Sequence, residues 1–152
     1  MDPGAREAPS CGWIERGAHR LPLRVYFEDT DLAGVVYYAN YLRFLERGRS
    51  DLLRLVGIDQ RATFEAGLGV YAVADLSIRY LRPARLDDAL VVETRCLAVG
   101  GASVRMEQRV LRGPDLLVEA RVRAGFLAAD GRPGRQPDAW MEKFRALLPA
   151  DS

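Results

Sequence analysis

Residues 37–56 read YYANYLRFLERGRSDLLRLV, a stretch in which apolar side chains recur at steps of three and four residues until Gly57. This spacing places the apolar side chains on one face of an α-helix. Glycine tolerates the backbone conformation that commonly ends a helix, so Gly57 is a suitable C-terminal cap. The sequence therefore predicts one amphipathic helix of about five turns. Its predicted apolar stripe is Tyr37, Tyr41, Phe44, Leu45, Gly48, Leu52, Leu55 and Val56.

The residues on either side of this helix follow a period of two, which is typical of β-strands. A short strand is predicted over 23–27, where Leu23, Val25 and Phe27 alternate with polar neighbours. After one more helical turn between Gln60 and Gly67, four longer alternating stretches run to residue 126. Mostly short breaks separate them, and these suit antiparallel hairpins rather than parallel crossovers. Their inward-facing residues are Val70, Ala72, Ala74, Leu76, Ile78 and Tyr80, then Leu90, Val92 and Cys96, then Val104, Met106 and Val110, then Val118, Ala120, Val122, Ala124 and Phe126.

The sheet has one apolar face, and the long helix is the obvious element to cover it. We therefore expect an α+β hotdog fold, in which a curved antiparallel β-sheet of about five strands wraps around one long central α-helix. A last helix, capped by Asp138, is predicted to pack on the outside, with an apolar stripe of Trp140, Met141, Phe144, Leu147 and Leu148. Residues 1–20 show no sustained period and are predicted to be a flexible N-terminal segment, followed by a single domain over 21–150.

Composition excludes several classes of protein. The chain has 152 residues, 49% of them hydrophobic and 28% charged, as expected for one soluble domain. Its 22 basic and 21 acidic side chains nearly cancel, which argues against a nucleic-acid partner. No apolar run is long enough to span a bilayer, and the N-terminus lacks the pattern of a secretory signal, so we expect a cytoplasmic protein.

Few residues are available for metal or nucleophilic chemistry. His19 is the only histidine and falls in the segment predicted to be flexible, so a bystander role is favoured. Cys11 and Cys96 are far apart and outside any C-x-x-C motif, and we expect idle thiols, no metal site and no cofactor. Residues 67–72 match G-x-G-x-x-A but follow a helical segment and precede a strand, which is the reverse of the dinucleotide-binding context.

The strongest candidate site lies between the first strand and the long helix. Asp29 and Asp31 are followed by Gly34, whose backbone freedom allows close approach to a ligand. Unpaired N–H groups at the start of the helix can stabilise an oxyanion, so a carboxylate beside them has the minimum equipment for acyl transfer. From spacing alone, capping of the helix or of a turn by either aspartate is an equally good interpretation.

The sequence VYFEDTDLAGVVYYANY of residues 25–41 closely resembles the signature of hotdog acyl-CoA thioesterases. The similarity is to the YbgC-like branch and to 4-hydroxybenzoyl-CoA thioesterase, and it continues in FLER at 44–47 and YLRPARLDD at 80–88. The resemblance implies a cofactor-independent hydrolase in which Asp31 is catalytic and the Tyr38 backbone N–H polarises the thioester carbonyl. It also implies a homodimer, usually paired into a homotetramer, with sites shared across the dimer interface. Candidate substrate-binding residues are Gly34, Val35, Tyr37, Tyr41, Arg82 and Ser103.

Two departures from the family pattern bear on the substrate. Many YbgC-like members have histidine where this chain has Tyr38, whereas the aryl-CoA branch has tyrosine there. In that branch the turn aligned with residues 100–102 is basic and binds the nucleotide phosphates, and here it is uncharged. The thioester carrier is therefore either coenzyme A or an acyl-carrier protein. Arginines that offer a replacement for the missing charge are Arg79, Arg82, Arg85 and Arg105.

Other carboxylates and other functions fit the sequence less well than catalysis by Asp31. Glu46 falls roughly 13 Å along the helix from Tyr37, too far for the same site, so pairing with Arg43 or Arg49 or exposure to solvent is expected. Asp29 is expected to face away from the pocket and to play a supporting part. Tyr37 and Tyr41 are expected to pack in the core, with lining of the acyl pocket as the alternative for either. The alternative function is a non-catalytic acyl-carrier-binding or envelope-associated scaffold. A hotdog dehydratase is disfavoured because His19 is placed outside the core.

Overall fold

A six-stranded antiparallel sheet and one long helix form the framework of the computed structural model, which describes residues 7–149. The strands are β1 (Trp13–Glu15), β2 (Ala18–Arg24), β3 (Val70–Tyr80), β4 (Ala89–Val99), β5 (Ser103–Arg112) and β6 (Asp115–Leu127). The helices are α1 (Tyr41–Leu55), α2 (Gln60–Glu65) and α3 (Asp138–Arg145), and two 3₁₀ turns cover Phe27–Asp29 and Tyr38–Asn40. The curved sheet has the order β1-β2-β4-β5-β6-β3. The hotdog prediction is confirmed, with six strands rather than five.

The N-terminal prediction is wrong from residue 13 onward. Residues 13–24 form the β1–β2 hairpin, and β2 pairs with β4 from Ala18 to Arg24. His19 on β2 is 1% exposed, and its Nε2 lies 2.7 Å from Asp51 Oδ2 on α1. The predicted placement of His19 outside the core is therefore also wrong, because this buried polar contact joins the hairpin to the helix. Residues 1–6 of the predicted flexible segment lie outside the described residues.

Helix α1 begins later than its apolar stripe predicts. A 3₁₀ turn at Tyr38–Asn40 precedes it, and Gly57 follows its end with a φ of 87°, as expected for a glycine cap. The inner face of α1 packs mainly on β2 and β4, where Phe44 and Leu45 are fully buried. The predicted first strand is also displaced, because Phe27 lies in a 3₁₀ turn and is 81% exposed.

Helix α3 closes the other end of the core. Met141 and Phe144 are each 1% exposed, and Phe144 packs with Leu52 of α1 and Met106 of β5. The apolar stripe predicted for this helix is therefore correct, but the helix lies on the inner face of the sheet rather than outside. Asp138 does not cap the helix: Pro137 is the N-cap residue, and the Asp138 carboxylate accepts a hydrogen bond from Arg135.

Strand β3 is an edge strand with much of its surface uncovered. Val73 and Tyr80 are 47% and 44% exposed, and a bulge interrupts the pairing with β6 between Val73 and Asp75. Helix α1 packs mainly on β2 and β4, towards the other edge of the sheet, so the inner residues Tyr71, Leu76 and Ile78 of β3 are only partly buried against the core. An uncovered apolar edge of this kind favours association with another chain.

Close approach of α1 to the sheet depends on Gly48. A Cβ at this position would lie 2.8 Å from Val92 Cγ1, so a larger side chain forces the helix and sheet apart.

We expect Gly48→Val to lower the free energy of unfolding by about 1–3 kcal/mol through overpacking. Arg54→Val, on the exposed side of the same helix, is the matched control and should cost less than about 1 kcal/mol. If urea denaturation shows that both variants lose the same free energy of unfolding, this account of the helix–sheet contact is wrong.

Candidate active site

A tight loop over 30–36 carries the candidate acid. Thr30 and Val36 form an isolated antiparallel bridge, and the Asp31 N–H donates to the Val35 carbonyl at 2.8 Å. Gly34, at the tip, has a φ of 77°, the conformation that its freedom from a side chain predicts. The Val36 N–H donates to the Ala84 carbonyl, which fixes the loop against the segment before β4.

Buried Asp29 holds the two sides of this loop together. It is 5% exposed, and its Oδ1 and Oδ2 accept hydrogen bonds from Asn40 Nδ2 and the Tyr26 N–H, both at 2.8 Å. Its carbonyl also accepts the Tyr37 N–H at 3.0 Å. Asp29 is buried, yet it lines the same depression as Asp31, so the prediction that it faces away from the pocket is wrong. It connects the 3₁₀ turn before Asp31 to the one that carries Tyr38. We call this set of bonds the Asp29 clamp.

Asp31 is exposed and keeps one carboxylate oxygen available. Its Oδ1 accepts the Ala33 N–H at 2.8 Å and, more weakly, the Val35 N–H at 3.4 Å. Within residues 7–149 its Oδ2 has no hydrogen-bond partner. A carboxylate that is oriented through one oxygen and free at the other is suited to act as a base or a nucleophile.

Tyr38 opens the second 3₁₀ turn, and its backbone N–H donates to no atom of the described chain. The first N–H groups of a helical turn lack an internal partner and can bind an oxyanion. The Tyr38 ring is 61% exposed and stands 4.9 Å from the Tyr37 ring and 6.1 Å from the Tyr80 ring. The pKa of Tyr37 lies above its ordinary value, chiefly through interaction with Tyr38.

Two adjacent depressions flank the Tyr37–Tyr38 dipeptide. The first, of about 570 Å³, contains Asp31, Tyr37 and Asn40 among its lining residues. The second, of about 270 Å³, contains Tyr38, Tyr41, Tyr80 and Arg82. In a single chain, therefore, Asp31 and Tyr38 line separate depressions.

The predicted substrate-binding residues separate into two groups. Gly34, Val35, Tyr37, Tyr41 and Arg82 lie in or beside the loop and the two depressions. Tyr41 packs in the core as expected, with its hydroxyl accepting the Ala84 N–H at 3.0 Å, and burial raises its pKa. Tyr37 is 52% exposed, so its predicted core position is wrong.

Ser103 is not brought to this site within one chain. It begins β5, whereas Arg112, which contacts the Pro83 carbonyl next to the site, ends the same strand. At about 3.3 Å per residue, the two ends are roughly 30 Å apart. The neighbouring Gly100 turn is held by Gln136, whose Nε2 donates to the Gly100 carbonyl at 2.7 Å.

The other charged candidates occupy varied positions. Glu46 is exposed and accepts a hydrogen bond from Ser50 Oγ at 2.9 Å, so the expected pairing with Arg43 or Arg49 is wrong while exposure to solvent is correct. Arg82 pairs with Asp115 at 3.1 Å. Arg79, Arg85 and Arg105 are exposed, and Arg85 lies beside the loop through its bridge with Val35.

Neither cysteine lines the two depressions beside the Asp31 loop. Burial raises the pKa of the Cys96 thiol to about 12, so it stays protonated and inert at neutral pH. Cys11 is exposed and free. Among residues 7–149 no three histidine, cysteine or acidic side chains are grouped as metal ligands. None of the helices in the same range is long and apolar enough to cross a membrane.

Comparison with known proteins agrees with this fold. Residues 33–119 match the family described as the thioesterase superfamily. The chain belongs to this superfamily. The match includes Tyr38 and Arg82 and begins two residues after Asp31.

Relatives of this thioesterase include the acyl-CoA thioesterase YbgC of Haemophilus influenzae, which is 44% identical over 68% of this chain and 76% of the relative. A chloroplastic acyl-acyl carrier protein thioesterase of Arabidopsis thaliana is 30% identical over 80% of this chain and 65% of the relative. A crystal structure of a probable thioesterase from Bartonella henselae superposes with a TM-score of 0.75 at 39% identity, covering 79% of this chain and 99% of the other.

Asn40 is the residue that sequence reasoning missed. It is 8% exposed, and its amide supplies one of the two bonds to the buried Asp29 carboxylate. A polar residue within the predicted helical stretch, directly before Tyr41, was the available signal, but only the folded chain shows that it turns inward.

We expect Asn40→Ala to destabilise this thioesterase by about 1.5–3 kcal/mol, because a buried carboxylate loses a charge-assisted partner. The double variant with Asp29→Asn and Asn40→Ala should lose less free energy of unfolding than the two single variants lose together, since Asp29→Asn also removes the unpaired charge. Urea denaturation of the four proteins measures the coupling. Strictly additive costs would show that the two side chains do not depend on each other.

Proposed function

We propose that this chain hydrolyses acyl-CoA thioesters, with Asp31 as the reacting carboxylate and the Tyr38 backbone N–H as an oxyanion donor. The observation that supports this most is the pairing of a half-free carboxylate with an unpartnered N–H at the two ends of one clamped loop. The YbgC name of the relative at 44% identity supports the same reaction class.

The proposed reaction uses one water and no cofactor. The thioester carbonyl oxygen accepts the Tyr38 N–H, which stabilises negative charge as the carbon becomes tetrahedral. Asp31 either removes a proton from the attacking water or attacks the carbon itself to form a mixed anhydride that water then hydrolyses. Both routes break the carbon–sulfur bond and release a carboxylic acid and a thiol.

A second copy of the chain completes the site in this proposal. Asp31 and Tyr38 open into separate depressions, and exposed apolar rings surround both. The uncovered edge of β3 offers a surface on which two copies can pair. Two copies joined at β3 form the homodimer, and two such dimers form the proposed homotetramer. The distant Ser103 then reaches substrate only from a partner subunit.

The substrate's carrier is either coenzyme A or an acyl-carrier protein, and a cytoplasmic location is part of the same proposal. The uncharged Gly100–Gly101 turn has a cation nearby, since Arg135 Nη1 would lie 3.6 Å from a Cβ placed on Gly101. Arg135, Arg85 and Arg105 are the exposed guanidinium groups that we propose for phosphate contacts.

Asp31→Asn should lower kcat by at least about a hundredfold, because the neutral amide is neither a base nor a nucleophile. The measurement is thiol release from a panel of acyl-CoAs that runs from short aliphatic to long-chain and aryl substrates. Asp130→Asn is the matched control, since Asp130 also accepts the N–H of the residue two positions later, in an exposed loop. A fully active Asp31→Asn protein would sink the assignment. Tight ligand binding without turnover by the wild type would favour the non-catalytic alternative.

Light scattering tests the proposed assembly. We expect the wild-type chain to have the mass of a dimer or tetramer and Val73→Lys to shift it toward the monomer, because a buried lysine would be desolvated at the paired edge. Phe64→Lys, a comparable change at an exposed position on α2, should leave the mass unchanged. A monomeric wild type would contradict the shared site.

A further inference from the structure

Three exposed arginines form a row along the outer side of α1. Arg43, Arg47 and Arg54 are spaced by four and seven residues, so they lie within about 40° of one another around the helix axis. The row is about 16 Å long at the α-helical rise. Among residues 7–149, none of the three guanidinium groups has an ion-pair or hydrogen-bond partner. We call these three residues the arginine row.

The stability of α1 does not account for the arginine row. Arg43 lies in the first turn of the helix, where the helix dipole disfavours a cation and where no acidic residue occurs. Arg43 and Arg47 are four residues apart, a spacing at which like charges destabilise a helix. Arg47 contacts the buried Phe44 ring, with its Cζ 5.8 Å from the ring centroid, but this contact leaves its charge unneutralised. Of the three, Arg54 alone is favoured by the dipole, since it lies in the last turn.

The charge on this side of α1 differs from that of the whole chain. The net charge of all 152 residues is +1, because basic and acidic side chains nearly cancel. Helix α1 has one exposed acid, Glu46, which lies roughly 60–100° around the axis from the arginine row and accepts a hydrogen bond from Ser50. Its other acid, Asp51, is buried. The outer side of α1 is therefore a local cationic surface, and the partner that complements it is negatively charged.

One end of the arginine row opens into the candidate active site. Arg43 lines the same depression as Asp31 and Tyr37. Helix α1 packs mainly on β2 and β4, towards the edge of the sheet opposite to β3, at which we propose that two copies pair. A partner that binds the row therefore lies beside the Asp31 depression.

An acidic protein helix fits the arginine row better than a membrane or a nucleotide. The exposed apolar residues of α1 are Leu42 and Leu55, which lie near opposite ends of the helix and form no stripe for insertion into a bilayer. Coenzyme A has its phosphates at its nucleotide end, whereas the three arginines are spread over about three helical turns. Carboxylates on one face of a partner helix repeat with the same period as the row.

We propose that the arginine row docks an acidic helix of an acyl-carrier protein, with the three guanidinium groups facing carboxylates of the partner. A guanidinium donates two parallel hydrogen bonds to a carboxylate, and complementary charges at an interface also raise the association rate. A carrier docked here presents its thioester to the Asp31 depression. This delivery rests on the proposed function, whereas the docking itself does not.

Calorimetric titration of the full-length protein with apo-acyl-carrier protein, which lacks the thioester arm, tests the docking. Arg47→Gln combined with Arg54→Gln should weaken binding by at least about tenfold, and Arg47→Lys combined with Arg54→Lys should retain most of it. Added salt should also weaken binding by the wild type. The matched control is Arg79→Gln combined with Arg132→Gln, which removes two exposed arginines without ion pairs and should leave the affinity unchanged. Asp31→Asn should bind the carrier as the wild type does.

Several results would overturn the proposed docking. These are no binding of the carrier by the wild type, or equal binding by the wild type and the Arg47→Gln, Arg54→Gln double variant. An equal loss in the control variant would show that only net charge matters. Displacement of the apo-carrier by free coenzyme A would make the row a nucleotide site. Equally tight binding of phosphatidylglycerol vesicles through the same two arginines would make it a membrane site.

The proposed function and the docking fail separately. A chain that binds the carrier but hydrolyses neither octanoyl-CoA nor octanoyl-acyl-carrier protein disproves the proposed function and leaves the docking standing. A chain that hydrolyses octanoyl-CoA without binding the carrier disproves the docking and leaves the proposed function standing.

Discussion

Burial of the inner face of α1 against β2 and β4 is the contact on which the rest of the structure depends. Gly48 allows the backbone of the helix to approach Val92, and Phe44 and Leu45, about one turn earlier on the helix, are fully buried. Polar groups are satisfied at this interface too: Gln108 Nε2 donates to the Leu45 carbonyl and to Thr94 Oγ1, both at 2.9 Å. Because this contact fixes the helix on the sheet, it also fixes the position of the helix N-terminus.

The candidate site is a consequence of how the chain enters that helix. The Asp29 clamp ties the segment before Asp31 to the turn that carries Tyr38, so the loop between them has little freedom. Buried Asp29 and Asn40 stabilise the loop through their hydrogen bonds. Asp31 is exposed, and one of its carboxylate oxygens has no partner among the described residues. The two aspartates, two residues apart, thus differ in environment: Asp29 is buried and hydrogen-bonded, and Asp31, to which we assign the reaction in our proposal, is exposed.

Local periodicity was sufficient to predict the helix, the existence of the long strands and the hotdog architecture. It assigned the wrong face to the first half of β3, because the bulge after Val73 places Tyr71 against the core and leaves Ala72 and Ala74 exposed. The loop could be predicted as a site because of its two acids and Gly34, and Asp31 could be selected only through the family resemblance. The N-terminal hairpin was not predictable from its own residues, since β1 and β2 are stabilised by pairing with β4 and by the His19–Asp51 contact. Tyr37 was misplaced because a helical period assigns it to the core, whereas its backbone is extended and it precedes the 3₁₀ turn, so it lies outside the helix and is exposed. Ser103 lies far from the loop in one chain, and in our proposal it reaches the site only from a partner subunit.

The central claim is that Asp31 and the Tyr38 N–H act on the same carbonyl group. A crystal structure with an acyl-CoA analogue in which a methylene replaces the thioester sulfur tests this most directly. The account predicts the ketone oxygen about 2.7–3.1 Å from the Tyr38 nitrogen and a carboxylate oxygen of Asp31 facing the carbonyl carbon, directly or through one water. A ketone bound away from the Tyr38 nitrogen, or on the far side of the dipeptide from Asp31, would contradict it.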